Sequence, residues 1–562
     1  TETIYQEASK LFVGEMEEVF RHGRLQEAAL ARIPKEERQR WLAGLETWAK
    51  AKLESFGEYW EGVGIMLIPL IIRARKEHGD TTEVSLWYET LGWLHRRHHR
   101  NQEAADAFRE AIRFAEGVRR FVLYHLAADL DIISGAVERA RAMMETAFAE
   151  DLPSAELPAM PERIQSLIND PLSRWDRITL PEATLSLKLM YADSLVRLGQ
   201  PQPARQVFME VEAALATLGG PIADVLSLRW ANRLGYLLSE VLVNPQSAEQ
   251  VYERVRSALD LDASHLQAER YEFLDTEFSI EMRLGHYDRA MILVQEMLQV
   301  AQRKGNLREE ARGHNSMGIT LNALGDWNEA AQSYERCLSL ARSIGDRRSE
   351  AISLHNLGII RMDQARYDEA RLCQENYLKV SLATGNHMAE SYAPAYLAVI
   401  AICQGEFERA EALLAQSLSL AKKNGWTRLI GLNQGFAGLL DLHRWLASRA
   451  TDCPSTTLRT SLPRVTETLS ASEEVWKSID EAGEFYAALM IAQSRTDDGP
   501  AARLTLERAR LNVDSSWTAA RIFLELGEAI LERKPLDPFL AWFKEHGFLR
   551  AVEFTEKVAA IH

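Results

Sequence analysis

Three histidines near residue 97 are the best-spaced candidates for metal coordination. His95, His98 and His99 lie close enough along a helix to contact one cation. The arginines among them would repel a cation, and Glu103 is the one carboxylate nearby. Cations favour helix C-termini. The stretch therefore reads as a solvated helix end, with contact to a phosphate or an acidic partner as the alternative, and the sequence predicts no metal site.

A nucleophilic pair could be assembled from Cys373 and His355, but a repetitive chain brings many such pairs together by chance. A buried cysteine beside a polar groove residue is the favoured interpretation. The sequence contains no Gly-x4-Gly-Lys-Ser/Thr phosphate loop, no Gly-x-Ser-x-Gly elbow and no His-Glu-x-x-His zinc motif. We therefore expect no catalytic residues, no cofactor and no enzymatic activity in this chain.

The charge of the chain narrows the classes of partner. The 562 residues carry a formal net charge of −16, from 81 acidic and 65 basic side chains. Phosphate backbones repel an acidic surface, so we expect no direct contact with nucleic acid.

Cysteine usage and hydropathy indicate the cellular compartment of the protein. The longest apolar run, residues 62–72, contains Pro69 and is too short to span a bilayer. The first ten residues are polar and do not resemble a signal peptide. Four cysteines lack metal-type spacing and read as small buried side chains in a reducing compartment. They are Cys337, Cys373, Cys403 and Cys453. These features predict a cytoplasmic protein with no membrane contact.

The elements that must position any site are set by a forty-residue repeat. One ladder of glycines is Gly305, Gly345, Gly385 and Gly425. A second ladder is Gly285, Gly325, Ala365 and Gly405. Each member of the second ladder precedes an alanine by five residues: Ala290, Ala330, Ala370 and Ala410. Apolar positions between them recur with helical spacing. A fixed period of this length predicts stacked helix pairs, with left-handed glycines ending the helices.

Small residues on each first helix predict close helix–helix approach. Gly318, Gly358 and Ala398 lie twelve residues before Ala330, Ala370 and Ala410. Two helices cross at the short end of the usual 8–10 Å range only where side chains are small.

These spacings resemble the tetratricopeptide repeat family. One copy comprises Tyr88, Leu91, Gly92, His95, Ala104, Phe108 and Ala111, with His95 in place of the usual tyrosine. Another comprises Met317, Gly318, Leu321, Ala330, Tyr334 and Cys337. The period of forty exceeds the family's thirty-four, so HEAT or armadillo repeats are the second interpretation. The predicted fold is all-α, a right-handed α-solenoid of tetratricopeptide-like helix pairs with atypical capping helices.

The predicted organisation has six parts. They are a helical cap at 1–81, a first repeat with adjoining helices at 82–151, a proline-containing loop or hinge at 152–181, a continuous superhelix at 182–446, a Ser/Thr/Pro-rich insertion at 447–463, and C-terminal repeats with a cap at 464–562. The insertion is a candidate regulatory segment. The tail from Trp517 is expected to form two helices that cap the superhelix.

The resemblance implies a binding groove, because the first helix of each pair lines the concave face in this family. The matching positions here are Asp275, Arg283, Arg312, Asn315, Ile319, Asn322, His355, Ile359, Met362, Asp363, Tyr392 and Val399. Apolar patches between hydrogen-bonding groups suit an extended peptide or an amphipathic helix. Half of the apolar positions are expected to be inter-helix core instead.

Forty-residue arrays of this kind look like the sensor superhelices of MalT-like bacterial signalling ATPases. The resemblance implies a non-enzymatic sensor or scaffold that binds a protein or peptide segment in its groove and couples it to an effector. One alternative is a peptide or small-ligand receptor that switches conformation, as in bacterial quorum-peptide regulators. Another is the regulatory subunit of a protease or NTPase, with the effector enzyme on another chain. A repeat fold alone does not decide among these.

Overall fold

The computed structural model of the protein describes residues 34–55, 60–78, 81–150, 160, 162–165, 167, 171–174, 177–450, 461–470, 482–495, 499–513 and 518–560. All regular structure in these ranges is helical, as the repeat pattern predicts, and they contain no strand. The chain divides into two compact units, Thr1–Leu237 and Leu238–His562.

The described part of the first unit is helical. Its helices are α1 (Lys35–Ser55), α2 (Trp60–His78), α3 (Thr81–Arg97), α4 (Asn101–Ile112), α5 (Gly117–Ile133), α6 (Val137–Phe148), α7 (Glu162–Gln165), α8 (Leu180–Arg197), α9 (Pro201–Leu215) and α10 (Pro221–Tyr236). They pack each on the next from α1 to α6, and α8 then packs on α5 and α6. The basic stretch falls at the end of α3, where Arg96 forms an ion pair with Asp129 at 2.7 Å. The stretch is thus a helix end, as predicted.

The second unit contains the glycine ladders. Its helices are α11 (Pro245–Ala258), α12 (Gln267–Leu284), α13 (Tyr287–Lys304), α14 (Leu307–Leu324), α15 (Trp327–Ser343), α16 (Arg347–Asp363), α17 (Tyr367–Ala383), α18 (Ala389–Gln404), α19 (Phe407–Asn424), α20 (Thr427–Ala450), α21 (Ser461–Ser470), α22 (Ala482–Arg495), α23 (Gly499–Asn512), α24 (Thr518–Leu531), α25 (Asp537–His546) and α26 (Leu549–Ala559). From α12 to α19 each helix packs on the next, so the even-numbered members are the first helices of successive pairs.

Both ladders end helices in the left-handed conformation, as predicted. The seven ladder glycines have φ between 61° and 92°. Ala365 occupies the same position after α16 with φ 55°, and its N–H donates to the Met362 carbonyl at 2.9 Å. An L-residue in this region brings its Cβ close to the following carbonyl. Ala365 is therefore a strained substitute for glycine.

A first-helix glycine in each of two pairs makes room for a ring on the second helix. A Cβ on Gly318 would lie 2.6 Å from the Tyr334 ring, and one on Gly92 would lie 2.6 Å from the Phe108 ring. The tightest neighbour is thus the residue sixteen positions later, while Ala330, twelve later, is fully buried in the same core. At these two glycines the close approach is therefore an aromatic side chain laid across glycine, whereas at Gly358 the nearest atom is Nε2 of Gln374, at 2.6 Å from an added Cβ.

Several predicted features fall partly outside the described residues. Residues 1–33 of the N-terminal cap, 151–159 of the proline-containing loop and 451–460 of the insertion, with Cys453, belong to this group. The ends of the insertion are helical, since α20 runs to Ala450 and α21 begins at Ser461. The tail forms three helices rather than two, because Gly547, with φ 77°, ends α25.

Replacing Ala365 with glycine is expected to stabilise the chain. Relief of the left-handed strain, less the added freedom of the unfolded chain, should raise the free energy of unfolding by about 0.5–1 kcal/mol. Urea denaturation measures the change. The matched control is Gly405→Ala, at the same position of the next pair with open space around it, which should lose about 1 kcal/mol. An unchanged or less stable A365G would contradict the account.

Adding one methyl group at Gly318 is expected to destabilise the chain. The new Cβ overlaps the buried Tyr334 ring, so Gly318→Ala should lower the free energy of unfolding by about 1–3 kcal/mol. The double variant with Tyr334→Leu should recover part of that loss, because Ala398 already precedes a leucine, Leu414, by sixteen residues. Scanning calorimetry compares the three proteins. If G318A melts like the parent, the ring does not lie across Gly318.

Candidate binding groove

The predicted groove residues all lie on four first helices of the second unit. Helix α12 carries Asp275 and Arg283; α14 carries Arg312, Asn315, Ile319 and Asn322; α16 carries His355, Ile359, Met362 and Asp363; α18 carries Tyr392 and Val399. Their surroundings divide them into an open set near the start of α14 and α16, a set covered by the C-terminal helices, and a set buried in the core.

At the open end, arginines of α12 and α14 are held in ion pairs. Arg312 donates to Glu272 Oε1 at 2.7 Å and to Asp275 Oδ2 at 2.5 Å. Its guanidinium lies 5.3 Å from the centre of the Tyr271 ring. Burial raises the pKa of Asp275, against the opposing effect of Arg312. Arg283 pairs with Glu240 in the same way. These charges are fixed in position before any ligand arrives.

An open cavity of about 550 Å³ lies between α12, α14, α15 and α16. It is lined by Asp275, Arg308, Arg312, Asn315, Ser316, Cys337, Asp346, Arg348, Ser349 and Ile352. Asp346 accepts hydrogen bonds from the backbone N–H of Ser349 at 3.2 Å and from its hydroxyl at 3.0 Å, and so caps α16. Ile352 is 41% exposed. The lining thus combines a rigid polar rim with an accessible apolar side chain.

Two side chains of this cavity keep hydrogen-bonding capacity. Asn315 Oδ1 accepts from Asn356 Nδ2 at 3.1 Å. Within the described part of the chain, the amide nitrogen of Asn315 has no acceptor, and the Arg348 guanidinium has neither a hydrogen bond nor an ion pair. Free donors on a concave surface can be satisfied by the carbonyl or carboxylate groups of a bound chain.

His355 lies among tyrosine rings, away from the open cavity. The centres of the Tyr377, Tyr396 and Tyr392 rings are 4.7, 5.1 and 5.8 Å from that of His355. Burial lowers the pKa of His355 to about 4, although a hydrogen bond from its Nδ1 to Gln374 at 3.1 Å opposes the shift. Burial raises the pKa of the Cys373 thiol. The Nδ1 of His355 is thus engaged by Gln374.

The middle of the predicted groove is covered by the chain's own C-terminal helices. A smaller space of about 270 Å³ remains between the two surfaces. It is lined by Ile319, Asn322, Trp327, Tyr334, Asn356, Ile359, Asp363, Tyr396, Glu484, Ala519, Ala520, Phe523, Phe548 and Arg550. The tail was expected to cap the end of the superhelix; instead α24 contacts α14, and α26 contacts α16.

A buried arginine connects the tail to the groove. Arg550 Nε donates to Asp363 Oδ1 at 2.9 Å, and its two terminal nitrogens donate to Glu484 at 2.7 and 3.1 Å. The three side chains are at most 10% exposed. Burial raises the pKa of Asp363 to about 6, while Arg550 acts in the opposite direction. The arginine is therefore held by two carboxylates in a water-poor site.

Aromatic contacts surround this ion pair. The Trp327 ring centre lies 4.5 Å from that of Phe548 and 5.9 Å from that of Trp542. The Tyr367 hydroxyl donates to the Glu553 carboxylate. We define the C-terminal clasp as helices α24–α26 together with Phe548, because these elements supply the covering surface. Trp327, at 1% exposure, is buried with the help of the clasp.

Three predicted groove positions are buried. Val399 and Met362 are core residues at 2% and 4% exposure, and Asp363 is enclosed with Arg550. Residue spacing alone missed Glu484, Phe548 and Arg550. The sequence did contain one signal for this site. Arg550 stands between two apolar pairs, Phe548–Leu549 and Ala551–Val552. A charged side chain that is buried on an apolar helix face needs a partner of opposite charge.

Within the described ranges, Glu249, Glu281 and His286 form one cluster whose potential ligand atoms lie within 4.8 Å of one another. His286 Nδ1 is 2.9 Å from Glu281 Oε2 and 3.5 Å from Glu249 Oε1. The hydrogen bond between His286 and Glu281 accounts for this geometry. Among the described helices, none combines the length and apolarity that crossing a bilayer requires.

Comparison with known proteins concerns the fold. The tetratricopeptide repeat family model matches residues 309–383, and no curated protein matches the chain. The solved apo form of RapI is 12% identical, with a TM-score of 0.49, and the match covers 70% of this chain and 99% of that one. The apo quorum sensor NprR from B. thuringiensis is 14% identical, with a TM-score of 0.44 over 67% and 99% of the two chains.

A signal transduction ATPase from Pyrococcus horikoshii with a tetratricopeptide repeat sensor is 16% identical, with a TM-score of 0.42. That match covers 68% of this chain and 54% of the ATPase. The segment matched by the family model runs from α14 to α17, which form two helix pairs. It includes Asn315 of the open cavity and Asp363, which accepts a hydrogen bond from Arg550 of the clasp. This chain therefore carries tetratricopeptide repeats, identified by the family model over residues 309–383.

Proposed function

We propose that this chain is a non-enzymatic interaction module, a sensor or scaffold that binds a segment of a protein or peptide on the concave face of α12–α16 and couples it to an effector. The observation that carries the proposal is the open cavity lined by Asn315 and Arg348, whose donors have no partner within the described chain. The effector is a second protein, either scaffolded or regulated by the bound state.

The size of the cavity favours a short segment of extended chain. A volume of about 550 Å³ falls within the range of pockets that enclose small ligands or a few peptide residues. The lining comes from consecutive repeats, so a bound chain would cross the first helices rather than enter a closed pocket. A backbone laid across them can accept hydrogen bonds from Asn315 and Arg348 while its side chains meet Ile352.

The charges favour a segment that presents an acidic or carbonyl-rich face to α16. Arg348 lies at the start of α16, where the helix dipole adds to its positive charge. Arg308 is 3.7 Å from Asp346, a distance that leaves this pair weak and open to competition. The Arg312 pairs with Glu272 and Asp275 would remain as a fixed polar wall.

The thiol in the cavity supports binding rather than covalent chemistry. Burial raises the pKa of Cys337, and the Ser353 hydroxyl donates to its sulfur at 2.9 Å. The thiolate is the nucleophilic form of cysteine. A thiol kept protonated by burial contributes shape and packing to the cavity.

The test uses peptides selected from a phage-displayed library of random 12-residue sequences, with the full chain as the target. The double variant Asn315→Ala with Arg348→Ala should weaken binding of the selected peptides by about ten-fold or more, as expected for the loss of two hydrogen bonds of about 1 kcal/mol each. Its melting temperature should stay within about 2 °C of the parent, since surface polar truncations cost little. Isothermal calorimetry measures the affinity.

The matched control is Gln332→Ala, an exposed amide on the second helix of the same pair. Peptide affinity should be unchanged in that variant. Peptides that bind the double variant as tightly as the parent, or that lose affinity equally in Q332A, would place recognition away from the concave face and contradict the proposal.

A further inference from the structure

We propose that the C-terminal clasp is a built-in ligand of the groove, and that the covered surface around Ile359 and Asp363 recognises a partner helix that presents an arginine two residues after an aromatic side chain. Such a helix competes with Phe548 and Arg550 for the same surface. The inference goes beyond the function proposed above and holds whether or not the open cavity binds a peptide.

The arginine subsite has the chemistry of a specific receptor. Glu484 accepts two nearly parallel hydrogen bonds from Arg550, and Asp363 accepts a third from Nε. A planar guanidinium satisfies this fork, whereas a lysine ammonium offers no bidentate geometry. With the arginine removed, two buried carboxylates would face each other unpaired. The subsite therefore favours an arginine-bearing occupant strongly.

The aromatic subsite adds a second requirement. The Phe548 ring packs on Trp327, and Arg550 lies 5.5 Å from the centre of the same Phe548 ring. The next turn adds Glu553, which accepts from the Tyr367 hydroxyl, and Phe554, which stacks on His443 with ring centres 5.6 Å apart. These contacts cover one face of α26, while Leu549 is 42% exposed on another. The surface thus binds an amphipathic helix rather than an extended strand.

The clasp helices are too short to be stable without the groove. Helices α25 and α26 have 10 and 11 residues, lengths that are marginal for a helix outside tertiary contacts. Their docking therefore depends on the groove. A tethered segment competes at an effective concentration of roughly millimolar, so a micromolar partner needs either about a thousand-fold better affinity or a weakened clasp.

The experiment weakens the clasp and measures entry of a substitute. The probe is a fluorescein-labelled synthetic peptide with the sequence of residues 546–560, followed by fluorescence anisotropy against the full chain. Arg550→Ala frees the subsite of its own arginine while leaving Asp363 and Glu484 in place. This variant should bind the peptide at least about ten-fold more tightly than the parent chain, since the tethered competitor is impaired.

Two controls fix the interpretation. Arg521→Ala removes an exposed arginine of the same clasp that pairs with Glu525 at 3.0 Å, and it should bind the peptide like the parent. A peptide with alanine in place of its arginine should bind R550A at least about ten-fold more weakly than the unaltered peptide. Circular dichroism establishes that each variant is folded.

If R550A does not fold, the variant Glu553→Gln replaces it in the experiment. This substitution alters only the clasp side of the contact between Tyr367 and Glu553. It should still raise the affinity for the peptide above that of the parent chain. Equal binding by the parent and the clasp variants, or equal binding of the two peptides, overturns the proposal. So does a dimer of the parent chain, by light scattering, that dissociates when the peptide is added, because the occupant would then be a second copy.

Discussion

The structure of the second unit depends on how each helix pair closes. A left-handed residue ends the first helix of each pair from α12 to α19, and in the pair α14–α15 the Tyr334 ring of the second helix lies across Gly318 of the first. These two constraints set the crossing of the pair and hence which residues face outward on the first helix. The groove follows from this register, since Asn315, Asn322 and Ile359 occupy the face that the crossing leaves uncovered by the second helix.

The concave face carries two kinds of recognition chemistry side by side. Toward the start of α14 and α16 it is open and polar. The Arg312 pairs are fixed structure there, and the Asn315 amide nitrogen and the Arg348 guanidinium have no partner among the residues that the structure describes. Toward the ends of the same helices the concave face is covered by the clasp and is less exposed to solvent. Arg550 lies there between Asp363 and Glu484. Burial makes the second region costly to leave empty, because unpaired carboxylates lose their solvation. An occupant there is part of the folded state.

Local features were predictable from sequence because they repeat within forty residues. The spacing of residues within one repeat is enough to indicate three features. They are the helix ends at the glycine ladders, the left-handed position of Ala365 and the packing of each first helix on its second helix. Ile319 and Ile359 were assigned to the groove and are partly buried there, whereas Val399 is core, in keeping with the expectation that such positions divide. The residue facing Gly318 was predicted less well, since alanine spacing does not reveal which ring fills the gap.

The clasp was not predictable in the same way. Arg550 and Asp363 are 187 residues apart, and Tyr367 and Glu553 are 186 apart. Nothing periodic links them, and the tail's apolar residues are equally consistent with a terminal cap. The isolated arginine in an apolar helix indicates that a buried carboxylate exists somewhere in the chain, but the identity of that carboxylate depends on how the solenoid curves.

Hydrogen–deuterium exchange on the unmodified full chain tests the central claim most directly. An 11-residue helix outside tertiary contacts exchanges its amides almost as fast as an unfolded peptide. The account predicts that amides of α26 exchange at least about a hundred-fold more slowly than that limit, because α26 is docked on α16. Unprotected α26 amides beside well-protected α14–α17 would show that the concave face is unoccupied and would contradict the account.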